Sequence, residues 1–145
     1  MKQIDAHETN LGKYLSISEG TLLIPFSQRP YEWGTSQIER LFNDLTALYD
    51  TNEEIHMLNF FTLSGEGEDT KLFDGQQRTV SSLLFVSSFI RKLDELNKKD
   101  AAEQLYKGYL VNSDFLTDPP IKTTKLKFEN SEVNEFFLQI SKAKC

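Results

Sequence analysis

The sequence predicts an α/β domain, mixed α+β in its layering: a small mixed sheet with helices packed on it, followed by a helical extension. Two observations carry this. Short apolar, β-favouring runs at Thr21–Ile24, Ile55–Leu63 and Thr70–Phe73 alternate with longer stretches of helical spacing. Helix-start signals stand at the head of those stretches. With 145 residues, 39% hydrophobic and 26% charged, the chain can bury a core, and eleven Phe give that core an aromatic filling.

In order, Leu11, Tyr14 and Leu15 have the spacing of a short amphipathic helix. Thr21–Ile24 reads as a buried strand ended by Pro25. The stretch P-F-S-Q-R-P-Y-E-W, Pro25 to Trp33, is stiffened by two prolines that hold Gln28 and Arg29 between them. It suits either a rigid loop whose aromatics plug the core edge or one wall of a polar pocket. Ser36 with Glu39 reads as a capping box opening a helix to about Asp50. The apolar face of that helix is Ile38, Leu41, Phe42, Leu45, Leu48 and Tyr49, and Gln37, Arg40 and Asp44 lie along its edge.

Ile55–Leu63 reads as a central strand with His56 at its start, either packed or facing a pocket. An acidic loop, Gly65–Asp69, returns the chain into Thr70–Phe73. The helix after Arg78 carries Val80, Leu83, Leu84, Val86, Ile90, Leu93 and Leu96 and ends in a Lys-rich turn near Lys98. A helix over about Asp100–Leu110, a strand over Thr123–Phe128 and a last helix capped by Ser131 follow.

The chain is organised around K-L-F-D-G-Q-Q-R-T, Lys71 to Thr79. A strand ends, Asp74 and Gly75 make a sharp turn, and a helix opens on Gln76, Gln77 and Arg78. Asp74 is expected as the N-cap, with Gln77 completing a capping box. A helix that opens at the end of a strand turns its N–H groups and its positive dipole end outward, which suits an anion. Gly75 permits close backbone approach, and Arg78, expected to point out of the core, adds a planar donor fork suited to phosphate. An ordinary strand-to-helix junction fits the same spacing, but its polar groups exceed what a cap needs.

Composition narrows the function classes. A net charge of −6 disfavours a domain whose task is gripping a DNA backbone, since phosphate neutralisation dominates such binding. The single cysteine, Cys145, allows no internal disulfide and no Cys-based zinc site, in keeping with the cytoplasm. No apolar run suits a membrane span or a signal peptide. Neither a Walker loop nor a G-x-G-x-x-G turn occurs.

Three pieces in sequence, I-P-F-S-Q-R-P-Y-E-W, I-H-M-L-N-F-F-T-L and F-D-G-Q-Q-R-T, together resemble the N-terminal domains of GmrSD-type, modification-dependent restriction systems. The likeness is carried by D-G-Q-Q-R at a strand-to-helix turn, preceded by Q-R-x-Y-x-W. It covers about Leu11 to Leu96, with a weaker echo in K-L-K-F-E-N, Lys125–Asn130. Ser27 and Asn59 depart from the pattern, where the family has an aromatic residue and a glycine.

The resemblance implies a ParB/sulfiredoxin-like fold over residues 1–98, with residues 99–145 as a helical and strand extension that reads as cut rather than finished. It implies nucleoside triphosphate binding and hydrolysis that controls DNA cleavage in bacterial defence against phage. The nuclease would be a separate C-terminal domain of HNH type, so nuclease activity is not expected from these residues. On that reading Gly75, Gln76, Gln77, Arg78 and Thr79 hold the nucleotide, with Gln28 and Arg29 closing the other side. Asp74, Gln77 and Arg78 are the catalytic candidates. Asp74 is also the candidate for orienting Mg²⁺ or water, and Asp44 a second carboxylate. The alternative is a non-catalytic sensor that binds DNA or a partner, and a complete nuclease is disfavoured by the lack of a metal-binding His constellation.

Overall fold

The structure, a computed structural model, describes residues 9–16, 21–25, 32–51, 61–64, 69–114, 116, 118–119 and 121–141. Its elements are α1 (Leu11–Leu15), β1 (Thr21–Ile24), α2 (Thr35–Thr51), β2 (Thr62–Ser64), β3 (Asp69–Asp74), α3 (Gln76–Glu95), α4 (Lys99–Leu105), β4 (Val111–Asp114), β5 (Ile121–Thr124), β6 (Leu126–Phe128) and α5 (Ser131–Ser141). A π-helical turn, Tyr106–Leu110, joins α4 to β4. This is the mixed α/β architecture that the alternation of strands and helices predicts.

The main sheet runs β2-β3-β1-β6, and β4 pairs with β5 in a second, two-stranded sheet. β1 lies between two parallel neighbours, β3 and β6, with Leu22 opposite both Thr70 and Leu126. Leu22 and Ile24 are buried and their neighbours half-buried, as expected of a short strand inside a sheet. Because β1 and β3 are parallel, the chain leaves both at the same end of the sheet. The segment after Ile24 and the turn after Asp74 therefore emerge together, where open α/β sheets place their ligands.

The core gathers Tyr14 and Leu15 of α1, Leu22 and Ile24 of β1, Val80 and Leu83 of α3, Leu110, Val111, Leu126 and Phe137. Helix α3 crosses this core, yet Ser81, Ser82 and Ser87 are buried along with its apolar residues. Ser87 Oγ donates to Ser141 O at 2.8 Å and Arg91 donates to Ile140 O, so α3 satisfies carbonyls at the end of α5. Helix α3 closes in a Schellman motif. Lys98 N donates to Leu93 O at 2.8 Å and Asn97 N to Asp94 O at 3.0 Å, with Asn97 left-handed at φ 59°.

Several expectations need correction. The Ile55–Leu63 run contributes β2, which is an edge strand with exposed residues among the described ones, not a central strand. His56 and Asn59 lie outside the described residues. The supposed single strand Thr123–Phe128 is two strands in two sheets, broken at Lys125. The helix over Asp100–Leu110 ends as an α-helix at Leu105 and widens into the π turn.

Helix α2 starts without the Ser36–Glu39 box: Gln37 Oε1 reaches back to Gly34 N at 3.0 Å. Its apolar face is only partly covered, with Leu41 buried, Phe42 set against Phe85 at 5.6 Å and Tyr49 85% exposed. Asn130, not Ser131, caps α5, accepting Glu132 N at 3.1 Å and Val133 N at 3.3 Å.

Candidate functional site

The central turn is shaped by Gly75. Its φ is +87° and ψ 15°, a left-handed conformation that disfavours any Cβ. A Cβ there would lie 2.4 Å from Phe61 Cδ1, inside the van der Waals limit. Conformation and space thus both require glycine. Gly75, not Asp74, is the N-cap of α3, and no side chain caps the helix. Inserting Gly75 sets the Asp74 carboxylate one residue too far back to reach the first turn. Asp74 Oδ1 instead accepts Gly75 N at 2.9 Å. The expected capping box from Gln77 is absent for the same reason.

The two glutamines have different tasks. Gln76 is 9% exposed and its Nε2 donates to Leu72 O at 2.9 Å, tying the helix mouth to the strand it leaves. Gln77 Oε1 accepts two backbone N–H groups, Glu32 at 3.0 Å and Trp33 at 3.2 Å. That one atom joins the end of the proline-stiffened stretch to the central turn. Gln28 and Arg29 lie outside the described residues.

Beneath the turn lies an aromatic bed. The guanidinium carbon of Arg78 stands 5.2 Å from the centre of the Phe61 ring, a cation–π contact. Arg78 is half-buried on this ring, which corrects the expectation that it simply points out of the core. Phe61 in turn packs on Tyr14, with ring centres 4.5 Å apart. The Tyr14 hydroxyl meets Thr79 Oγ1 at 3.0 Å, and Thr79 Oγ1 also reaches Gly75 O at 2.9 Å. Burial pushes the Tyr14 phenol up to about 12, offset in part by the Thr79 hydrogen bond and the Arg78 charge. Thr79 is wholly buried and stands behind the turn, where it braces the Gly75 carbonyl.

Above the turn is an open depression of about 440 Å³ lined by Trp33, Phe73, Asp74, Gly75, Gln76, Gln77 and Arg78. The structure therefore brings Asp74 to Arg78 together on one surface, with Thr79 beneath it. Asp44, on α2, is not among the lining residues. Sequence reasoning did not assign Trp33 and Phe73 to the site. The available signal was their position, Trp33 as the last residue of one motif and Phe73 as the first of the other. The chemistry on offer is a helix mouth and a guanidinium suited to an anion, one carboxylate, and two aromatic rings. Among the described residues, no three His, Cys, Asp or Glu side chains gather to hold a metal ion, and no helix is long and apolar enough to cross a membrane.

A family model described as "GmrSD restriction endonuclease, N-terminal domain" matches residues 11–144. The match spans nearly the whole chain, so the chain belongs to that family of restriction-system domains. No curated protein matches it.

Proposed function

We propose that this GmrSD N-terminal domain binds a nucleoside triphosphate in the depression at the mouth of α3 and hydrolyses it. We take that turnover to control DNA cleavage by a nuclease domain of the same restriction system, in the cytoplasm. The observation that carries the reading is the double hydrogen bond from Glu32 and Trp33 to Gln77. It ties Glu32 and Trp33, the end of the first motif, to the central turn.

In this reading Arg78 and the helix mouth at Gln76 hold phosphate oxygens, since the helix dipole and a guanidinium both favour them, and Gly75, whose own N–H is engaged by Asp74, admits close approach of the ligand to the backbone. Thr79 supports the turn from below. Gln28 and Arg29, which precede the tethered segment in the chain, close the opposite side. Mg²⁺ normally comes with the nucleotide and takes one or two protein carboxylates beside the phosphates. Asp74, whose Oδ1 is engaged by Gly75 N, fits that role through its second oxygen. The ion would neutralise charge on the phosphates, and Asp74 would orient it or the attacking water.

Titrating the four nucleoside triphosphates with and without Mg²⁺, followed by phosphate release, tests the proposal. Saturable binding of at least one is expected. Binding of none, with salt-sensitive DNA binding in its place, would overturn it in favour of a non-catalytic DNA sensor.

A further inference from the structure

We propose that Trp33 and Phe73 form an aromatic seat for the base of the nucleotide, so that the depression reads a planar heterocycle as well as phosphates. The inference rests on the phosphate-binding reading of the Gly75 turn and extends it to the half of the ligand that carries identity.

Side chains alternate across a strand, and Leu72 is wholly buried, so Phe73 faces the opposite way. It is 41% exposed and lines the depression. Trp33 is half-buried on the same depression, and its backbone N–H is fixed by Gln77 Oε1. Single exposed aromatic residues are common and need no explanation. Two rings that come from separate segments to one depression, beside an arginine and a helix mouth, are a different case.

Among the described residues neither ring pairs with another ring, whereas Tyr14, Phe61, Phe42, Phe85, Phe128 and Phe137 all do. Neither ring is thus committed to an aromatic partner among the described residues, and both line the depression. A volume of about 440 Å³ lies within the range of small-ligand sites, about 300–1,000 Å³. Stacking tolerates any base, because every base has a π-face, so this seat alone would bind several nucleotides with modest preference.

Trp33 is the only tryptophan in the chain, so its fluorescence reports directly on the seat. The experiment titrates the protein with each nucleoside triphosphate and with inorganic tripolyphosphate, in Mg²⁺, following fluorescence and calorimetry together. Trp33→Ala, Trp33→Phe and Phe73→Ala are measured beside the wild type, with melting curves to confirm folding. The nucleotide should quench Trp33, while tripolyphosphate should bind with little quenching.

Trp33→Ala should lower nucleotide affinity about ten- to a hundred-fold, leave tripolyphosphate affinity unchanged, and be largely restored in Trp33→Phe. Phe73→Ala should act in the same sense and more weakly. Unchanged nucleotide affinity in both alanine variants, or an equal loss for both ligands, would overturn the seat and leave the phosphate reading standing. Failure of the wild type to bind either ligand would remove that reading and the seat with it. Quenching by a single-stranded oligonucleotide but by no mononucleotide would show that the rings take a DNA base, and would also overturn the proposal.

Discussion

Gln77 holds Trp33 in place: its side-chain oxygen accepts the Trp33 N–H at 3.2 Å, together with the neighbouring Glu32 N–H at 3.0 Å. A glutamine in the first turn of a helix thus serves a distant segment rather than its own helix end. The tether fixes one wall of the depression relative to its floor, and its loss should be felt in both folding and binding.

Replacing Gln77 with Ala leaves two backbone donors to water and should cost about 1 kcal/mol of stability. Gln77→Glu keeps an acceptor oxygen in the same place and adds a negative charge that the helix mouth tolerates. Its melting temperature should stay near that of the wild type, while nucleotide affinity falls at least about ten-fold through repulsion of phosphate. Thermal melting beside calorimetric titration separates the two. A glutamate variant as unstable as the alanine variant would mean that the amide nitrogen, not the oxygen, holds the site together.

Gly75 should tolerate no side chain. Gly75→Ala places a Cβ in a left-handed residue and against Phe61, for a cost of about 2 kcal/mol or more. In a Phe61→Leu background the contact is relieved and only the conformational part, about 1 kcal/mol, should remain. A double-mutant cycle in urea reads this coupling. Strict additivity would show that Phe61 is not what confines the turn.

Tyr14 should give the domain an alkaline limit. Its phenol titrates near 12 in the folded chain and near 10 when unfolded, so the unfolded state loses its proton first. The stability that this provides is fully present below pH 10 and is lost as pH rises from about 10 towards 12. Tyr14→Phe removes the titration and, with it, the hydroxyl contact to Thr79. Chemical unfolding between about pH 9 and 12 should show a fall for the wild type that is shallower in the variant. Parallel curves would assign the alkaline loss to other groups.

How much of this was legible in the sequence depends on the range of the interaction. Strand β1 follows from a short apolar run ended by Pro25, and the start of α3 at Gln76 from the sharp turn before a run of helical spacing, although the cap itself was misassigned to Asp74. The division of Thr123–Phe128 was not legible, because the same alternation serves either sheet. The chain switches sheets at Lys125, whose N–H donates to Leu110 O while its carbonyl accepts Leu22 N. The buried serines of α3 were hidden for a related reason: hydropathy reads Ser81, Ser82 and Ser87 as polar, while their small size lets neighbouring elements approach.

In the candidate site, the excess of polar residues after Asp74 singled out the turn that lines the depression. The partners of those residues were not readable. Nothing in the local sequence says that Gln77 binds Glu32 and Trp33, or that Gly75 is confined by Phe61: the first relation needs β3 beside β1, and the second needs β2 paired with β3, where Thr62 stands opposite Asp74.

Arg78 and Asp74 should separate binding from turnover. On the proposed reading, Arg78→Ala should remove a charge-assisted phosphate contact of about 1.5–3 kcal/mol, roughly ten- to a hundred-fold in affinity. Since Arg78 also lies over Phe61, the same change should cost about 0.5–1 kcal/mol of stability, more than a freely solvated arginine would. Asp74→Asn keeps an acceptor for Gly75 N and loses only the charge, so it should fold normally and bind nucleotide about as well as the wild type. Its turnover in Mg²⁺ should fall steeply, because one carboxylate beside the phosphates is gone. The measurements are nucleotide titration, phosphate release and melting on both variants. Normal turnover in Asp74→Asn would leave that carboxylate as a turn residue alone, and unchanged affinity in Arg78→Ala would make the arginine part of the Phe61 packing and nothing more.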